Sequence, residues 1–287
     1  RRVSPGQCLL VLLMLILTLI FLLPIVLTFS TSVSTPEGLL EHNAGLLPSG
    51  FTWQAYQTLL ADPRLVRYYA NTILYAVTGT GIMLFCTMTL AYTLIHPTFG
   101  GRRFINVLLV ITMFFSGGMV PTYLLIKNLG MYNTIWAMVL PGAVSAWNVI
   151  VVKTFFKELP GSLLEAAFID GAGHWTTLTR IILPLCKPSI ATVSLFIILQ
   201  HWNAWFDGML YIKDMSLKPL QTYLRSIVIV DSAVGETGMT LEDAVANATA
   251  DGANGAKIFL AIFPIMCVYP FLQKYFAKGL VRGSVKE

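Results

Sequence analysis

The apolar stretch VSPGQCLLVLLMLILTLIFLLPIVLTFSTSVSTP, residues 3–36, decides the fold class of this chain. It holds no charged residue and no histidine over 34 positions. About 20 helical residues are enough to cross a hydrocarbon core of roughly 30 Å. Its apolar core is too long for a signal peptide, and no small-residue cleavage site follows Leu27. The stretch therefore predicts a transmembrane helix.

Five further uncharged runs follow along the chain, and 56% of all 287 residues are apolar whereas 11% are charged. The runs are Tyr68–Ile95, Phe104–Ile126, Asn128–Val152, Pro188–Phe206 and Ile258–Gln273. The last has 16 residues, and flanking small residues and the stem of Lys274 can complete a span. We expect an all-α integral membrane protein of six transmembrane helices, forming a single transmembrane domain over residues 1–287.

The distribution of charge predicts the orientation of the chain in the membrane. If the N-terminus is inside, twelve of the nineteen Lys and Arg residues fall in inner segments, and ten of the fourteen acidic residues fall outside. Lys and Arg favour the cytoplasmic side, so both termini are expected there. The net charge of +5 then gives no indication of nucleic-acid binding. The long inner loop is residues 153–187, and the long outer loops are residues 34–67 and 211–257.

The inner loop carries the pattern of a short amphipathic helix. Pro160 and Gly161 precede it, Ser162 is expected at the N-cap, and Glu165 three residues later completes a capping box. Gly171 and Gly173 offer the stop. One apolar face is predicted from the spacing of Leu163, Leu164, Ala167 and Phe168. A second short helix, roughly 175–183, is expected to end before Pro184.

Two interpretations of this helix are open. It could lie in the headgroup layer as an interfacial re-entrant helix. It could instead dock into the groove of a partner protein. Four apolar residues anchor a helix weakly, and Asp170 near its C-terminus is unfavourable for the helix dipole unless a cation meets it. The groove of a partner protein can supply both an apolar surface for the four side chains and a cation for Asp170, which favours docking.

The same residues resemble a known signature. Glu165-Ala166-Ala167, Gly171, Ile181, Leu183 and Pro184 stand at the spacing of the EAA motif of bacterial ABC importer permeases. Asn71-Thr72, Trp202-Asn203 and the segment 273–283 are similar to the carbohydrate-uptake permeases of the maltose type. The resemblance covers most of the chain, and at residues 268–284 it is nearest to permeases for plant or algal oligosaccharides.

This resemblance implies a permease subunit of a binding-protein-dependent importer in the bacterial inner membrane. Two permeases, here different chains, pair above two cytoplasmic ATPase subunits that carry ATP and Mg. An extracytoplasmic binding protein delivers the oligosaccharide, including acidic fragments such as alginate or pectin oligomers. The element Leu163–Gly173 is the implied ATPase-coupling helix, and Leu183 with Pro184 fixes where the loop re-enters the membrane. This chain itself is implied to have no catalytic activity, metal or cofactor.

The family also implies a substrate pathway through the fifth run. At 100° per residue Gln200, Asn203 and Asp207 share one face, and Trp202 with its aromatic neighbours points to the opposite one. Polar groups within a span usually face the interior of the bundle, so these three are predicted to line the cavity. Asn71 in the second run and Trp202 are added from the resemblance. For Trp202 an aromatic belt at the outer interface is the competing interpretation.

Two other function classes compete with an ABC permease. An ion-coupled secondary transporter would need ionisable residues near the midplane of its spans, and the sequence shows none there. A membrane enzyme or a scaffold that docks a cytoplasmic partner is the second alternative. An enzyme would need paired acid and base groups at workable spacing, which we do not find.

Overall fold

A computed structural model gives the fold over residues 5–42, 45–232 and 241–284, with side chains described for residues 6–41, 45–226 and 245–270. The regular secondary structure within these ranges is helical, apart from an isolated bridge between Ser34 and Phe51. The charged chain ends used for the predicted orientation, and most of the tail from residue 268, lie outside the described side chains.

The chain divides into two compact units. The first contains Arg1–Arg67 and Tyr223–Pro264, and the second contains Tyr68–Thr222 and Ile265–Glu287. The helices, in chain order, are α1 (Pro5–Ser32), α2 (Pro36–His42), α3 (Gln54–Leu60), α4 (Pro63–Ile95), α5 (Arg102–Phe114), α6 (Met119–Asn128), α7 (Ile135–Val139), α8 (Ala146–Lys157), α9 (Gly161–Ile169), α10 (His174–Leu185), α11 (Lys187–Trp202), α12 (Trp205–Tyr211), α13 (Leu220–Ser232) and α14 (Leu241–Ser284). The prediction of a single domain over residues 1–287 stays a prediction.

The first unit is built around close packing of α1 with α14. The rings of Phe29 and Phe259 lie 4.9 Å apart. A Cβ added at Gly255 would lie 3.0 Å from the Thr28 carbonyl oxygen, so glycine permits this approach of the two backbones. The short α3 is fixed by a buried hydrogen bond between its Tyr56 hydroxyl and the Ser32 hydroxyl, 2.8 Å long.

The second unit has a continuous apolar core between α4, α8, α10 and α11. Its fully or nearly fully buried members include the following residues: Met83, Leu94, Val149, Val152, Phe156, Leu178, Ile182, Val193 and Ile197. These side chains come from four helices, of which α4 is distant in sequence from the other three. Their burial places the loop between α8 and α10 directly against the end of α4.

The described residues contain three helices long and apolar enough to cross a membrane, within α1, α4 and α14. Two bent pairs raise the number to five if each pair is one span: α5 with α6, bent by 118°, and α10 with α11, bent by 87°. The all-α membrane class is confirmed. Six uninterrupted spans are not what the described helices show.

The differences arise at breaks within the predicted runs. The fourth run is divided between α7 and α8 at residues 140–145, where Pro141 cannot donate a helical hydrogen bond and Gly142 weakens the helix. The third run bends at Ser116-Gly117-Gly118, where Gly118 has φ +84° and little lies near it. These glycines therefore permit a bend in the chain. Residues 241–248, in the long loop between the fifth and sixth runs, form the start of α14.

Candidate functional site

The predicted coupling helix is α9, and its N-terminus differs from the expected capping box. Pro160 is the N-cap residue, with φ −56° and ψ 127°, and no side chain caps the helix. The Pro160 carbonyl accepts a hydrogen bond from the Leu163 amide at 3.1 Å. Proline holds the extended conformation that an N-cap residue requires, so the helix begins before Ser162 can take that position. Ser162 and Glu165 are therefore both exposed residues within the helix.

The C-terminus of α9 is a Schellman motif, which confirms the predicted stop at Gly171. The Ala172 amide donates to the Ala167 carbonyl at 2.9 Å, and the Gly171 amide donates to Phe168 at 3.0 Å. Gly171 has φ +79°, a left-handed conformation that only glycine adopts without strain. The chain reverses here, and Asp170 is left as an exposed C-cap residue that forms no ion pair with a described residue.

The predicted apolar face of α9 is divided in the structure. Leu164 and Ala167 point inward: Ala167 is buried and Leu164 packs on the core of the second unit. The outward face presents Ser162, Glu165, Ala166 and Ile169, and Leu163 and Phe168 form its two borders. Ile169 is 85% exposed. The chain's own core thus takes up part of the apolar stripe, and Ile169, which the sequence analysis did not single out, becomes the main apolar group facing outward.

An aromatic cluster supports α9 from the inner side. The ring of Phe168 lies 5.2 Å from His174, at the start of α10, and 6.0 Å from His96. The Tyr92 hydroxyl of α4 forms a hydrogen bond of 3.0 Å with Nδ1 of His174. These four side chains, the support cluster, join α9 and α10 to the end of α4. Sequence reasoning missed Tyr92, His96 and His174, because they meet only when the end of α4 packs against the start of α10, and Tyr92 and His174 are 82 positions apart.

A cavity of about 460 Å³ opens beside the support cluster. Tyr92, His96 and His174 line it together with Trp175 and the threonine hydroxyls of α4. Burial, with a smaller contribution from the neighbouring His174, lowers the pKa of His96. Nε2 of His96 is buried and has no hydrogen-bond partner among the described residues. Both features favour the neutral form of His96.

The second loop helix does not end before Pro184, contrary to expectation. α10 runs from His174 to Leu185 and contains a π-helical turn over Thr177–Ile182. The wider turn changes the hydrogen-bond register just before Pro184, where an α-helix would clash with the proline ring. The break comes two residues later at Cys186, with an 87° bend into α11. Leu183 packs against the core of the second unit, so it fixes the position of this bend.

The predicted substrate-pathway residues do not share one helix face. α11 ends at Trp202, and the Trp205 amide donates to the Asn203 carbonyl at 2.8 Å across Ala204. With φ −75° and ψ 54°, Ala204 forms an inverse γ-turn. The turn breaks the 100° periodicity on which the shared face of Gln200, Asn203 and Asp207 was based. All three remain exposed in the described structure.

Gln200 and Trp202 occupy different environments. Gln200 lines a cavity of about 440 Å³ with Ser145 and Trp147 of the α7–α8 region. The Trp202 side chain is buried, and its ring packs edge-on against Tyr69 with the ring centroids 6.5 Å apart. The Trp202 ring is thus occupied by packing within the fold, whereas Gln200 faces a cavity.

Asn71 has a structural partner. Its amide nitrogen donates to the carbonyl oxygens of Ser216 at 2.8 Å and Lys218 at 3.0 Å. Its side chain is buried. These bonds hold the segment after α12 against α4. Asn71 therefore has a structural role here, whereas it was predicted to line the substrate pathway.

Comparison with known proteins places the whole chain among transport proteins, although no family model matches its sequence. It is 41% identical over 267 residues to Protein LplC of Bacillus subtilis, covering 93% of this chain and 90% of the relative. It is 37% identical over 273 residues to the polygalacturonan/rhamnogalacturonan transport system permease protein YtcP of the same organism, with 95% of each chain covered.

A solved structure shares the fold. It is a chain of a bacterial ABC transporter involved in the import of the acidic polysaccharide alginate. The TM-score is 0.85 at 31% sequence identity, and the match covers 96% of this chain and 99% of the other. The similarity of fold therefore extends over nearly the whole chain.

Proposed function

This chain belongs to the family of ABC sugar transport permeases, and from that premise we propose that α9 couples the import of acidic oligosaccharides to a separate ATPase. The chain is a permease subunit of an oligosaccharide importer, and the alternatives of an ion-coupled transporter or a scaffold fall away with that membership. The outward face of α9 carries the proposal. This face presents the exposed side chains of Ile169 and Glu165. The inward contacts of Leu164 and Ala167 hold the helix in position.

The physical case for docking rests on how α9 is held. A helix of nine residues is unstable alone, so its order depends on the inward contacts of Leu164 and Ala167 and on the Schellman stop. Its outward face is left without contacts from the described chain. Ile169 supplies apolar area for a groove, and Glu165 supplies an acceptor for a donor on the partner.

The partners follow from this assignment. Two ATPase subunits with ATP and Mg lie on the cytoplasmic side, each receiving a coupling helix from one permease. The second permease is a different chain, and an extracytoplasmic binding protein delivers the substrate. Both termini and α9 lie on the cytoplasmic side, which the excess of Lys and Arg in the inner segments supports.

The proposed substrate is an oligosaccharide of uronic acids. A relative at 37% identity is a permease of a polygalacturonan/rhamnogalacturonan transport system, and the matching solved structure belongs to a transporter involved in the import of alginate. Both names describe acidic polysaccharides. Gln200, at the cavity in the second unit, is our candidate for a solute contact because amide groups can bond both hydroxyl and carboxylate oxygens.

The test is ATP hydrolysis by the purified complex in proteoliposomes. Binding protein loaded with oligogalacturonides or alginate oligomers should stimulate hydrolysis, whereas binding protein without ligand should stimulate it less. Phe168→Asp should abolish the stimulation, because it places a charge on the border of the docking face. Stimulation by neutral maltooligosaccharides alone would overturn the proposed substrate class, and an unchanged rate in Phe168→Asp would overturn the role of α9.

The neighbouring reading frames give an independent check. A second permease, a binding protein and a polysaccharide lyase or glycosidase are expected beside this gene. A lyase for uronic-acid polymers would support the substrate class directly, and an operon for an unrelated solute would contradict it.

A further inference from the structure

α4 is tied by side chains at both ends, and the first tie lies near its start. Asn71 donates to the carbonyls of Ser216 and Lys218, and the Tyr75 hydroxyl donates to the Leu217 carbonyl at 2.5 Å. The Thr72 hydroxyl accepts from the Leu220 amide at 2.8 Å. Residues 216–220, here called the anchor segment, are thus bonded to one turn of α4 through four hydrogen bonds.

The second tie lies at the other end of the same helix. The Tyr92 hydroxyl bonds Nδ1 of His174, and His174 contacts the Phe168 ring of α9. Phe168 lies at the border of the outward face and is 39% exposed, and the His174 ring contacts it from the inner side. The position of α9 therefore depends on the position of Tyr92.

The helix between the ties is continuous. Asn71 and Tyr92 are 21 residues apart, or about 31 Å at 1.5 Å per residue, which is close to the hydrocarbon thickness of a bilayer. Tyr75, Met83 and Leu94 are almost completely buried along its inner face. A packed helix without a break moves as a rigid element, so a displacement at one tie reaches the other.

We propose that α4 is the link between the two sides of the membrane, and that Asn71 and Tyr92 are positioning residues at its ends. A shift of the anchor segment when loaded binding protein engages moves α4, and Tyr92 carries the shift through His174 and Phe168 to α9. This inference rests on the proposed function. It names the helix through which the arrival of loaded binding protein changes the position of α9 and thereby the activity of the ATPase.

The first experiment uses Tyr92→Phe in the reconstituted complex. The change removes one hydroxyl and keeps the ring that lies 4.5 Å from His96. Stimulation of ATP hydrolysis by loaded binding protein should fall about five- to tenfold, whereas the basal rate should change much less. His174→Phe, which keeps ring contact with Phe168 and loses the same hydrogen bond, should reproduce the effect. Recovery of the assembled complex during purification checks folding.

Thr78→Ala is the matched control, because it removes a hydroxyl of α4 that bonds its own helix at Leu74. It should leave stimulation unchanged. The double variant Asn71→Ala with Tyr92→Phe tests whether the two ties act in one path. The double loss should be no larger than the greater single loss, since breaking either end interrupts the link.

The outcomes separate the two proposals. If the wild-type complex responds to loaded binding protein and Tyr92→Phe responds equally, the link through α4 is overturned and the proposed function stands. Multiplicative losses in the double variant also overturn the link. A wild-type complex that shows no stimulation contradicts the proposed function itself.

Discussion

Gly171 holds the end of α9 in a conformation that other residues adopt only with strain. Gly171→Ala should destabilise the loop by about 1–2 kcal/mol, because its φ is +79°. We expect less ATPase to remain bound during purification of the complex. Gly173→Ala is the control, since Gly173 has φ −72° and nothing lies within 4 Å of either glycine's added Cβ. Equal losses in the two variants would contradict the conformational explanation.

Asn133 is a second residue with a backbone requirement. It has φ 60°, and its side-chain oxygen accepts from the Lys213 and Asp214 amides at 2.9 and 2.8 Å. Asn133→Ala should cost about 1–3 kcal/mol of unfolding free energy, because both bonds and the tolerance for this conformation are lost. Asn133→Asp keeps an acceptor and much of that tolerance. Thermal unfolding in detergent should therefore rank Ala well below Asp, and equal melting temperatures would contradict this account.

His96 gives a dependence of stability on pH. Burial and His174 lower its pKa in the folded protein, so the unfolded chain takes up a proton first as the pH falls below about 6.5. Its contribution to stability is thus constant above that pH and is lost progressively below it. His96→Phe keeps the ring contacts and removes the titration. The stability lost between pH 7.5 and 5.5 should be smaller in this variant, and parallel losses would refute the assignment.

At the scale of elements, α9 shows how a short apolar pattern is shared between the fold and a partner. Ile169→Asp should reduce ATPase recovery about tenfold, because a charge replaces the most exposed apolar side chain of the outward face. Leu129→Asp is the control, a substitution of a 62% exposed leucine in the turn between the third and fourth runs, which lies outside if the N-terminus is inside. Loss of the ATPase in both variants would point to general damage rather than to docking.

The π-turn within α10 and the γ-turn between α11 and α12 could not be predicted from the spacing of apolar residues. A pattern at 100° per residue assumes a continuous helix, and the γ-turn at Ala204 and the π-turn at residues 177–182 both interrupt it. Pro184 was a visible cue in the sequence, but it was expected to end the helix. The π-turn accommodates it instead, and the bend is displaced to Cys186.

At the scale of the molecule, the predicted orientation can be tested by chemical labelling. Ser162→Cys lies on the exposed face of α9. With the permease expressed without its ATPase, so that this face is uncovered, the cysteine should react with a membrane-impermeant maleimide in inverted membranes but not in intact cells. Leu129→Cys should show the opposite pattern. Parent protein carrying the four native cysteines sets the background, since Cys8 and Cys267 are exposed. Labelling of Ser162→Cys from outside would reverse the assigned orientation.

The sequence by itself determined that this is a helical membrane protein with a short glycine-stopped helix in the loop between residues 153 and 187. These conclusions follow from local physics: uncharged runs long enough for a bilayer, and a glycine where the backbone must become left-handed. The spacing from Glu165 to Pro184 then identified the family that the relatives confirmed.

Tertiary structure alone decided which side of α9 faces outward, where the long runs break, and that Asn71 and Tyr92 bond distant segments. Each of these depends on contacts between residues far apart in sequence, such as Tyr92 with His174. An apolar side chain gains nearly the same free energy from its own core as from a partner's groove, so hydrophobicity cannot assign it to either. The core of the second unit made that choice by taking up Leu164 and Ala167 and leaving Ile169 exposed.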